Sequence, residues 1–397
     1  DVGEEREEAA GVGGGTIDLE PERGSFVNAR GLRLQRYTWR ASALMTRCFG
    51  LDGAKEPAGS SSSPHARVGE KGEETLPPAA IVIFVHGYCV HAKYEALLPA
   101  HPRAAGHTKY EGSITHRLNE SGCDVHAFDL QGHGLSERLD GEPCYVADFD
   151  DFPKDVIQFT EMVKREYVAM MAAENAAQGR KFPEPSEENL PPLYILGASM
   201  GGLVTIRTAQ LRPNLADGMV LLAPAIMLND EENFCCWYYL KKPILHFMQP
   251  LLKKVRMIGR YRATDADMRY TEGADPLNFW GLMHFGMANA MMEGQLRTRH
   301  GPQIELPYLI LAAPNDTHVN SMGSHDMFEQ TVSKDKTLIW MNNMGHSLLY
   351  EPPGCEQVVH LAVNWIMERA KPGSVSSTEL HLNERNGGYT VRRCVEQ

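Results

Sequence analysis

The stretch that decides the fold is "LYILGASMGGLV", residues 193–204. An apolar run leads into Gly197, Ser199 and Gly201, and a segment that can be helical follows. A serine in this position is typical of a sharp strand-to-helix turn, whose strained backbone lifts the hydroxyl above the end of a sheet while the glycines let neighbouring elements approach. An ordinary glycine–serine turn has the same letters, so the role of Ser199 depends on the rest of the chain.

Outward from this turn, apolar runs alternate with helical patterns. The predicted strands are 80–85, 124–130, 193–198, 218–223, 308–313 and 337–342. Segments 156–167 and 356–370 have apolar residues at helical spacing. This alternation predicts an α/β protein with a mostly parallel central sheet flanked by helices. In such sheets the chemistry lies beyond the carboxyl ends of the strands, and Ser199 follows one of those ends.

The composition excludes several function classes. The 397 residues are 43% hydrophobic and carry a net charge of −12, which argues against a nucleic-acid partner. The eight cysteines show no CxxC or Cys/His zinc spacing, so we expect no metal, no cofactor and a reduced, cytoplasmic setting. The first ten residues resemble no signal peptide, and no run approaches the roughly 18 apolar residues of a membrane span.

Changes in composition divide the chain into five segments. A long stretch without a convincing strand interrupts the alternation and predicts a helical cap over the active-site edge. Two short antiparallel strands are expected over 25–40, and a polar surface loop over 172–191. The predicted segments are a disordered acidic terminus at 1–24, a first core part at 25–226 with a low-complexity insertion at 55–78, the cap at 227–304, a second core part at 305–371, and a flexible tail at 372–397.

A nucleophilic serine needs a base to take its proton and an acid to orient that base. When a serine lies at a strand-to-helix turn of this kind, the acid and then the base follow it in the chain. Asp316 comes just after the predicted strand at 308–313, and His346 follows the strand at 337–342. Parallel strands bring such positions to one edge of the sheet, so we predict that Ser199, Asp316 and His346 form a catalytic triad.

Other acids and another histidine compete for these roles. Asp326 falls inside a helical pattern, and Asp335 precedes the last predicted strand. His318 is the alternative base. We rank both acids well below Asp316.

The tetrahedral intermediate of acyl transfer needs two backbone amides to hold its oxyanion. One is that of Met200, the residue after the nucleophile. The other is expected from the loop after an early strand, and "FVHGYCVH" at 84–91 supplies that loop. The amide of Tyr88, after His86 and Gly87, is the natural donor.

These motifs together resemble those of a known family. They are His86-Gly87-Tyr88, "DLQGHGLS" at 129–136, the turn at 197–202, Asp316 and "GHSLLYE" at 345–351. Together they are similar to the monoacylglycerol lipase and lysophospholipase branch of the α/β-hydrolase fold, including its plant-type members such as caffeoylshikimate esterase. "DPLNFWG" at 275–281 resembles the cap segment of that family.

The resemblance implies an α/β-hydrolase fold and a cofactor-independent serine hydrolase of carboxylic esters. Its implied substrates are monoacylglycerols or lysophospholipids. It assigns Ser199 as nucleophile, Asp316 as acid and His346 as base, with Tyr88 and Met200 as oxyanion amides. The DxxGHGxS segment is implied to be structural, without a catalytic role for His133.

The chain departs from the family pattern at two positions. Cys89 stands in the oxyanion loop where relatives often have glycine, and Ala313 stands where a glycine commonly opens the acid loop. Neither change removes a catalytic group. We expect Cys89 either to alter the acyl pocket or to offer a thiol for modification.

A basic segment within the predicted cap suggests contact with lipid. Residues 241–262 contain seven Lys or Arg and no acid, with apolar residues at helical spacing. A basic amphipathic helix is suited to an anionic membrane surface, so we expect peripheral membrane contact through this segment. Packing of the apolar side chains against the body, with solvated lysines, is the alternative. Cys235 and Cys236 are candidates for acylation, and a buried pair is the equal alternative. Cys394 is fourth from the end, although Glu396 argues against prenylation.

Three other functions remain open. The same triad serves an esterase or acyl-protein thioesterase acting on short, aromatic or thioester substrates. An aminopeptidase would need a site for a free α-amine, and no acidic cluster in the cap clearly supplies one. A non-catalytic binding protein would usually lack a member of the triad.

Overall fold

The computed structural model describes residues 19–42, 77–99, 108–178, 186–228, 255–258, 273–351, 354–370 and 389–395. Nine strands form one sheet: β1 (Glu22–Val27), β2 (Arg33–Trp39), β3 (Ala80–Val85), β6 (Cys123–Phe128), β7 (Leu193–Ala198), β8 (Gly218–Leu222), β11 (Tyr308–Ala312), β12 (Asp335–Met341) and β13 (Tyr389–Val395). Four short strands form two separate pairs: β4 (Leu98–Pro99) with β5 (Thr108–Lys109), and β9 (Arg256–Ile258) with β10 (Met283–His284).

The order of the strands in the large sheet is β1-β2-β6-β3-β7-β8-β11-β12-β13. The six strands from β6 to β12 pair in parallel, and the outer strands β1, β2 and β13 pair antiparallel. This arrangement confirms the predicted mostly parallel sheet. The two strands expected over 25–40 are β1 and β2, and the turn between them contains Gly31 at φ +80°.

Helices connect the parallel strands and cover both faces of the sheet. They are α1 (Ala92–Ala96), α2 (Ile114–Glu120), α3 (Asp151–Gln178), α4 (Met200–Leu211), α5 (Phe285–Arg299), α6 (Met322–Gln330) and α7 (Cys355–Ala370), with 3-10 turns at Leu139–Gly141 and Glu187–Asn189. Alternate residues of the fully buried β3 enter different cores. Val82 and Phe84 pack with α2 and α7, while Ile81 and Ile83 pack with α3, α4 and α5. The central strands therefore read as continuous apolar runs.

Four predicted boundaries differ from the structure. The acidic terminus was expected to reach residue 24, but β1 begins at Glu22. The loop expected over 172–191 begins as helix, because the alanine-rich end of α3 runs to Gln178. The segment 227–304, predicted to lack strands, contains β9 and β10. The tail predicted to be flexible over 372–397 contains β13, which includes the β-branched Thr390, Val391 and Val395 and pairs with the sheet edge at β12.

Several expectations lie outside the described residues. These are Cys235, Cys236, and residues 241–254 and 259–262 of the basic segment. Within that segment, Arg256–Ile258 form a strand and not a helix. No helix among the described parts of the chain has the length and apolar character needed to cross a membrane.

The sheet brings three loops to one edge. The turn after β7 contains Ser199, the loop after β11 contains Asp316, and the loop after β12 contains His346. Since β7, β8, β11 and β12 are consecutive in the sheet, their carboxyl ends lie side by side.

Candidate active site

The turn at Ser199 is strained. Ser199 has φ 52° and ψ −117°, a conformation that a non-glycine residue rarely adopts. Its N–H donates to the Leu222 carbonyl at 2.8 Å, and its own carbonyl accepts the Ala225 N–H at 2.9 Å. Both bonds tie the turn to the end of β8, so the neighbouring strand holds the serine in this conformation.

The two glycines beside Ser199 are required by close backbone approach. A Cβ at Gly201 would lie 2.6 Å from the His86 carbonyl oxygen and closer still to that of Val85. A Cβ at Gly197 would meet the carbonyl of Gly201. The strand–turn–helix predicted from "LYILGASMGGLV" therefore has the geometry for which these glycines were expected.

The structure brings the three predicted side chains into one hydrogen-bonded chain. His346 Nε2 lies 2.8 Å from Ser199 Oγ, and His346 Nδ1 lies 2.6 Å from Asp316 Oδ2. Because a carboxylate only accepts, Nδ1 donates its N–H to Asp316, and Nε2 is the ring atom that faces the serine hydroxyl. This arrangement allows proton transfer from Ser199 to His346.

Asp316 is held as an anion. Its Oδ1 accepts the backbone N–H groups of His318 at 2.8 Å and Val319 at 3.0 Å. Burial by itself raises the pKa of Asp316, but the hydrogen bond and charge of His346 together with these amides hold that pKa below its ordinary value. The carboxylate therefore stays ionised and orients His346.

The competing residues lie elsewhere. Asp326 is on α6, next to His325. Asp335 begins β12 and pairs with Arg369 through two contacts of 2.7 Å. His318 lies with its ring centroid 5.0 Å from that of His346. It donates its backbone N–H to Asp316, so its position supports the acid.

One group of described side chains has the spacing of a metal site. Ligand atoms of Asp316, His318 and His346 lie within 4.8 Å of one another. A cation bound there would have to break the 2.6 Å bond between Asp316 and His346. The hydrogen bond between Asp316 and His346 therefore competes with metal binding at this group.

The oxyanion loop, residues 86–91, borders Ser199. Gly87 lies so close that a Cβ there would be 3.3 Å from that of Ser199, and Tyr88 lines the same cleft. Met200 is the first residue of α4, so its N–H has no carbonyl partner within the helix. The positive end of the helix dipole also favours a negative charge at this point.

Hydrogen bonds of the His86 and Asp129 side chains hold the oxyanion loop in position. His86 donates Nδ1–H to the Gly87 carbonyl at 2.7 Å, while its Nε2 accepts the Leu130 N–H at 2.9 Å. Burial and the neighbouring histidines hold the pKa of His86 well below its ordinary value, so the ring is neutral. Asp129 accepts the N–H groups of Ala92 and Leu135, each at 2.9 Å.

Two carboxyl groups near the site were not found from the sequence. Glu95 is buried in the cleft, and its Oε2 accepts the Gly87 N–H at 2.5 Å. Glu351 Oε2 accepts the Gly345 N–H at 3.0 Å and so holds the loop that carries His346. Both residues belong to helical or turn-like segments where a glutamate usually faces solvent. The family motif "GHSLLYE" contains Glu351 but gives no indication of this contact.

A segment of the predicted cap contacts the oxyanion loop. The Phe279 N–H donates to the Cys89 carbonyl at 2.8 Å, and Asp275 Oδ2 lies 3.3 Å from His91 Nε2. Arg256, one of the seven basic residues of 241–262, contacts Glu142 at 3.1 Å and lies over the Phe279 ring. This arginine is therefore engaged within the protein.

The wall of the cleft is mostly apolar. Besides Ser199, His346 and Glu95, it is lined by Val90, Ala198, Leu222, Leu348, Leu349 and Tyr350. Such a wall suits an acyl chain better than a charged substituent.

Comparisons with known proteins agree with this geometry. The family model described as serine aminopeptidase, S33, matches residues 76–353. Monoglyceride lipase of Mus musculus is 26% identical over 277 residues, covering 69% of this chain and 83% of that protein. The Rattus norvegicus protein of the same name is 29% identical over 254 residues, covering 62% and 73%. The crystal structure of a soluble variant of monoglyceride lipase from Saccharomyces cerevisiae, in complex with a substrate analog, has a TM-score of 0.59 at 17% identity and covers 91% of this chain and 99% of that one.

Proposed function

Because the chain belongs to the serine aminopeptidase, S33, family and is a monoacylglycerol lipase-like α/β-hydrolase, we propose that it hydrolyses monoacylglycerols or related single-chain lipid esters with Ser199 as nucleophile. The family match and the similar monoglyceride lipases support a serine ester hydrolase. The observation that carries the proposed mechanism is the hydrogen-bonded chain from Ser199 through His346 to Asp316.

In the proposed reaction, Ser199 Oγ attacks the ester carbonyl while its proton moves to His346 Nε2. Asp316 stabilises the imidazolium that forms, since its pKa is held low enough for it to remain an anion. The proton on His346 then passes to the departing alcohol, which leaves an acyl group on Ser199. Water loses a proton to His346 and attacks the acyl carbonyl. The bond between the acyl carbon and Ser199 Oγ then breaks, Oγ takes the proton back from His346, and the fatty acid is released.

The negative oxygen of each tetrahedral intermediate is proposed to accept the N–H groups of Tyr88 and Met200. Met200 begins α4, and Tyr88 lines the cleft beside Ser199. A backbone donor that is already in place needs no reorganisation as charge develops. The hydrogen bonds of His86 and Glu95 to Gly87 keep the oxyanion loop in position.

The apolar wall of the cleft favours an uncharged acyl group over a charged one, and the similar monoglyceride lipases support a lipid acyl chain. Lysophospholipids share that chain and belong to the same proposal. Short-chain esters, aromatic esters and acyl thioesters are the competing substrates.

The first test is a substrate panel. Purified protein is incubated with long-chain monoacylglycerol, lysophospholipid, short-chain and aromatic esters, an acyl thioester and an aminoacyl nitroanilide, and product release is measured. We expect the highest kcat/KM with long-chain monoacylglycerol, and loss of nearly all turnover in Ser199→Ala. The exposed Ser25 on β1 provides the matched control, Ser25→Ala, which keeps full activity.

Two results would contradict the proposal. A preference for the nitroanilide would make the protein an aminopeptidase, and a preference for short esters or thioesters would change the substrate class. Labelling by a fluorophosphonate separates both from a non-catalytic protein, since the probe reacts with Ser199 only if the serine is activated.

We also propose that residues 241–262 contact anionic membranes. The support is the charge of this segment, although Arg256 is engaged with Glu142. Sedimentation with phosphatidylserine vesicles tests it by comparing the protein with a variant in which Lys241, Lys242, Lys253 and Lys254 are changed to glutamine. Equal binding of the two proteins refutes the contact.

A further inference from the structure

A short segment of the predicted cap, residues 275–279, lies against the oxyanion loop. The Phe279 N–H donates to the Cys89 carbonyl at 2.8 Å, and Asp275 Oδ2 lies 3.3 Å from His91 Nε2. Because a carboxylate only accepts, Nε2 donates its N–H to Asp275. Two hydrogen bonds from one cap segment therefore hold the oxyanion loop at two positions.

The Asp275 side chain uses both of its oxygens as acceptors. Oδ1 accepts the Leu277 N–H at 2.9 Å, and Oδ2 accepts from His91, whose side chain is buried like that of Asp275. Burial by itself raises the pKa of Asp275, but the hydrogen bond and charge of His91 together with the Leu277 amide hold that pKa below its ordinary value. Asp275 is therefore an anion at neutral pH and a strong acceptor for His91.

The backbone of Cys89 is strained. Its φ of 69° falls in the left-handed region, which is unfavourable for a residue with a Cβ. Such a conformation persists only where surrounding contacts hold it. The hydrogen bond from Phe279 is one such contact, since it fixes the direction of the Cys89 carbonyl. Tyr88 directly precedes Cys89, so relaxation of Cys89 would move the N–H that is proposed to bind the oxyanion.

Other contacts keep Phe279 in place. The guanidinium of Arg256 lies over its ring, 5.5 Å from the centroid, and Arg256 also contacts Glu142 at 3.1 Å. A Cβ at Gly281 would collide with the same ring. The position of the Phe279 N–H therefore does not depend on the oxyanion loop alone.

Helix α5, which follows the segment in the chain, is tied to α4. The Gln295 side chain of α5 donates to the Ala225 carbonyl at 2.9 Å, and Gln210 of α4 donates to the Thr298 carbonyl of α5 at 2.8 Å. α4 begins at Met200, which has the second proposed oxyanion amide. The cap segment and α5 therefore connect the oxyanion loop to the helix that contains the other donor.

We propose that Asp275 is a positioning residue for ester hydrolysis, and that together with Phe279 it holds the oxyanion loop so that the Tyr88 N–H meets the oxyanion. Asp275 touches none of the reacting atoms and acts through His91. The effect on turnover rests on the proposed function and on the proposed oxyanion role of Tyr88. The contact between the segment and the loop depends on neither.

The proposal has a kinetic signature. An oxyanion donor contributes once negative charge develops on the carbonyl oxygen, and loss of a whole donor lowers kcat by about 100- to 1000-fold. A displaced donor loses part of that contribution. We therefore expect kcat to fall with little change in KM, whereas damage to the acyl cleft would raise KM.

The test compares Asp275→Ala, His91→Leu and the double variant in the full chain. We expect each single variant to lower kcat for monoacylglycerol by about 10-fold or more. The double variant should lose no more than the weaker of the two, because both act through one contact. His91→Gln keeps an N–H of similar reach and should retain most of the turnover. Glu293→Ala, which breaks an ion pair with Arg297 within α5, is the matched control and should retain full turnover.

A long-chain trifluoromethyl ketone gives a readout that needs no ester substrate. Ser199 Oγ bonds to its carbonyl carbon, His346 takes the hydroxyl proton, and the ketone oxygen becomes an oxyanion like that of the tetrahedral intermediate. We expect its dissociation constant, measured by fluorine NMR, to rise in Asp275→Ala by about the factor by which kcat falls. Urea denaturation shows whether each variant is folded.

Each contrary result overturns a separate part. Unchanged kcat and ketone affinity in folded Asp275→Ala overturn the positioning role, and so does a rise in KM alone. Additive losses in the double variant overturn the action through His91. If Asp275→Ala does not fold, Asp275→Asn replaces it, since one amide oxygen must then serve both Leu277 and His91. If the unmodified protein binds the ketone but hydrolyses no ester, the proposed function fails, while the ketone affinities still test the positioning role.

Discussion

His346 Nε2 lies 2.8 Å from Ser199 Oγ, although the two residues are separated by 147 positions in the chain. Two loops at the carboxyl edge of one sheet produce this contact, because β7 and β12 run in the same direction with β8 and β11 between them. The strands thus place His346 against the strained Ser199. Removal of the acid on the intervening loop should disable that base.

The first prediction concerns Asp316→Asn. The asparagine can still accept the N–H groups of His318 and Val319, but an amide nitrogen facing His346 Nδ1 would force the ring into the wrong tautomer. We expect kcat to fall about 10⁴-fold with the protein still folded. Steady-state hydrolysis and circular dichroism measure the two effects. Asp335→Asn, at the competing acid on β12, serves as control and should retain turnover; its inactivation would change the assignment of the acid.

The second prediction concerns Gly201→Ala. The added methyl group would collide with the carbonyls of Val85 and His86, which are backbone atoms and cannot rotate away. We expect a loss of about 3 kcal/mol or more in the free energy of unfolding. Urea denaturation measures it. Gly24→Ala on β1 meets only the flexible Arg36 side chain and should change stability by less than about 0.5 kcal/mol. Similar stability of the two variants would show that the turn is not closely packed.

The third prediction concerns Asp129→Asn in the DxxGHGxS segment. The carboxylate accepts the N–H groups of Ala92 and Leu135 and, at 3.1 Å, the Tyr37 hydroxyl. An asparagine has a single side-chain oxygen, which cannot accept hydrogen bonds from all three donors. At least one buried donor would therefore lose its acceptor. We expect a loss of about 2 kcal/mol or more in the free energy of unfolding, measured by thermal and urea denaturation. Asp326→Asn on the exposed part of α6 is the matched control. An unchanged stability would mean that the segment does not depend on this carboxylate.

The candidate triad and the sheet could be predicted because local patterns determine them. Ser199, Asp316 and His346 each follow an apolar run. Parallel strands bring their carboxyl ends to one edge of the sheet, whatever the helices that connect them. Glu95 and Glu351 gave no such signal. Their hydrogen bonds to the N–H groups of Gly87 and Gly345 form only in the folded turns, and a buried glutamate reads the same as a solvated one. The edge strand Tyr389–Val395 was missed because it follows a polar segment, and only the exposed edge of β12 gives it a partner.

The last prediction concerns the pH dependence of stability through Glu95. Burial raises the pKa of Glu95 from 4.5 to about 7, against the opposing Gly87 hydrogen bond and the charge of His346. The folded protein therefore holds a proton that the unfolded chain releases between these two pH values. The contribution of Glu95 to stability is highest below pH 4.5, falls as pH rises towards 7 and levels off above that point. The difference corresponds to roughly 3 kcal/mol.

Glu95→Gln removes the titration, so the unfolding free energy of the variant minus that of the unmodified protein should rise by this amount between pH 4 and pH 8. Because Asp155 also has a raised pKa and is common to both proteins, the subtraction isolates Glu95. Urea denaturation across this range measures the difference, and a pH-independent result would mean that Glu95 is ionised in the folded protein at acidic pH.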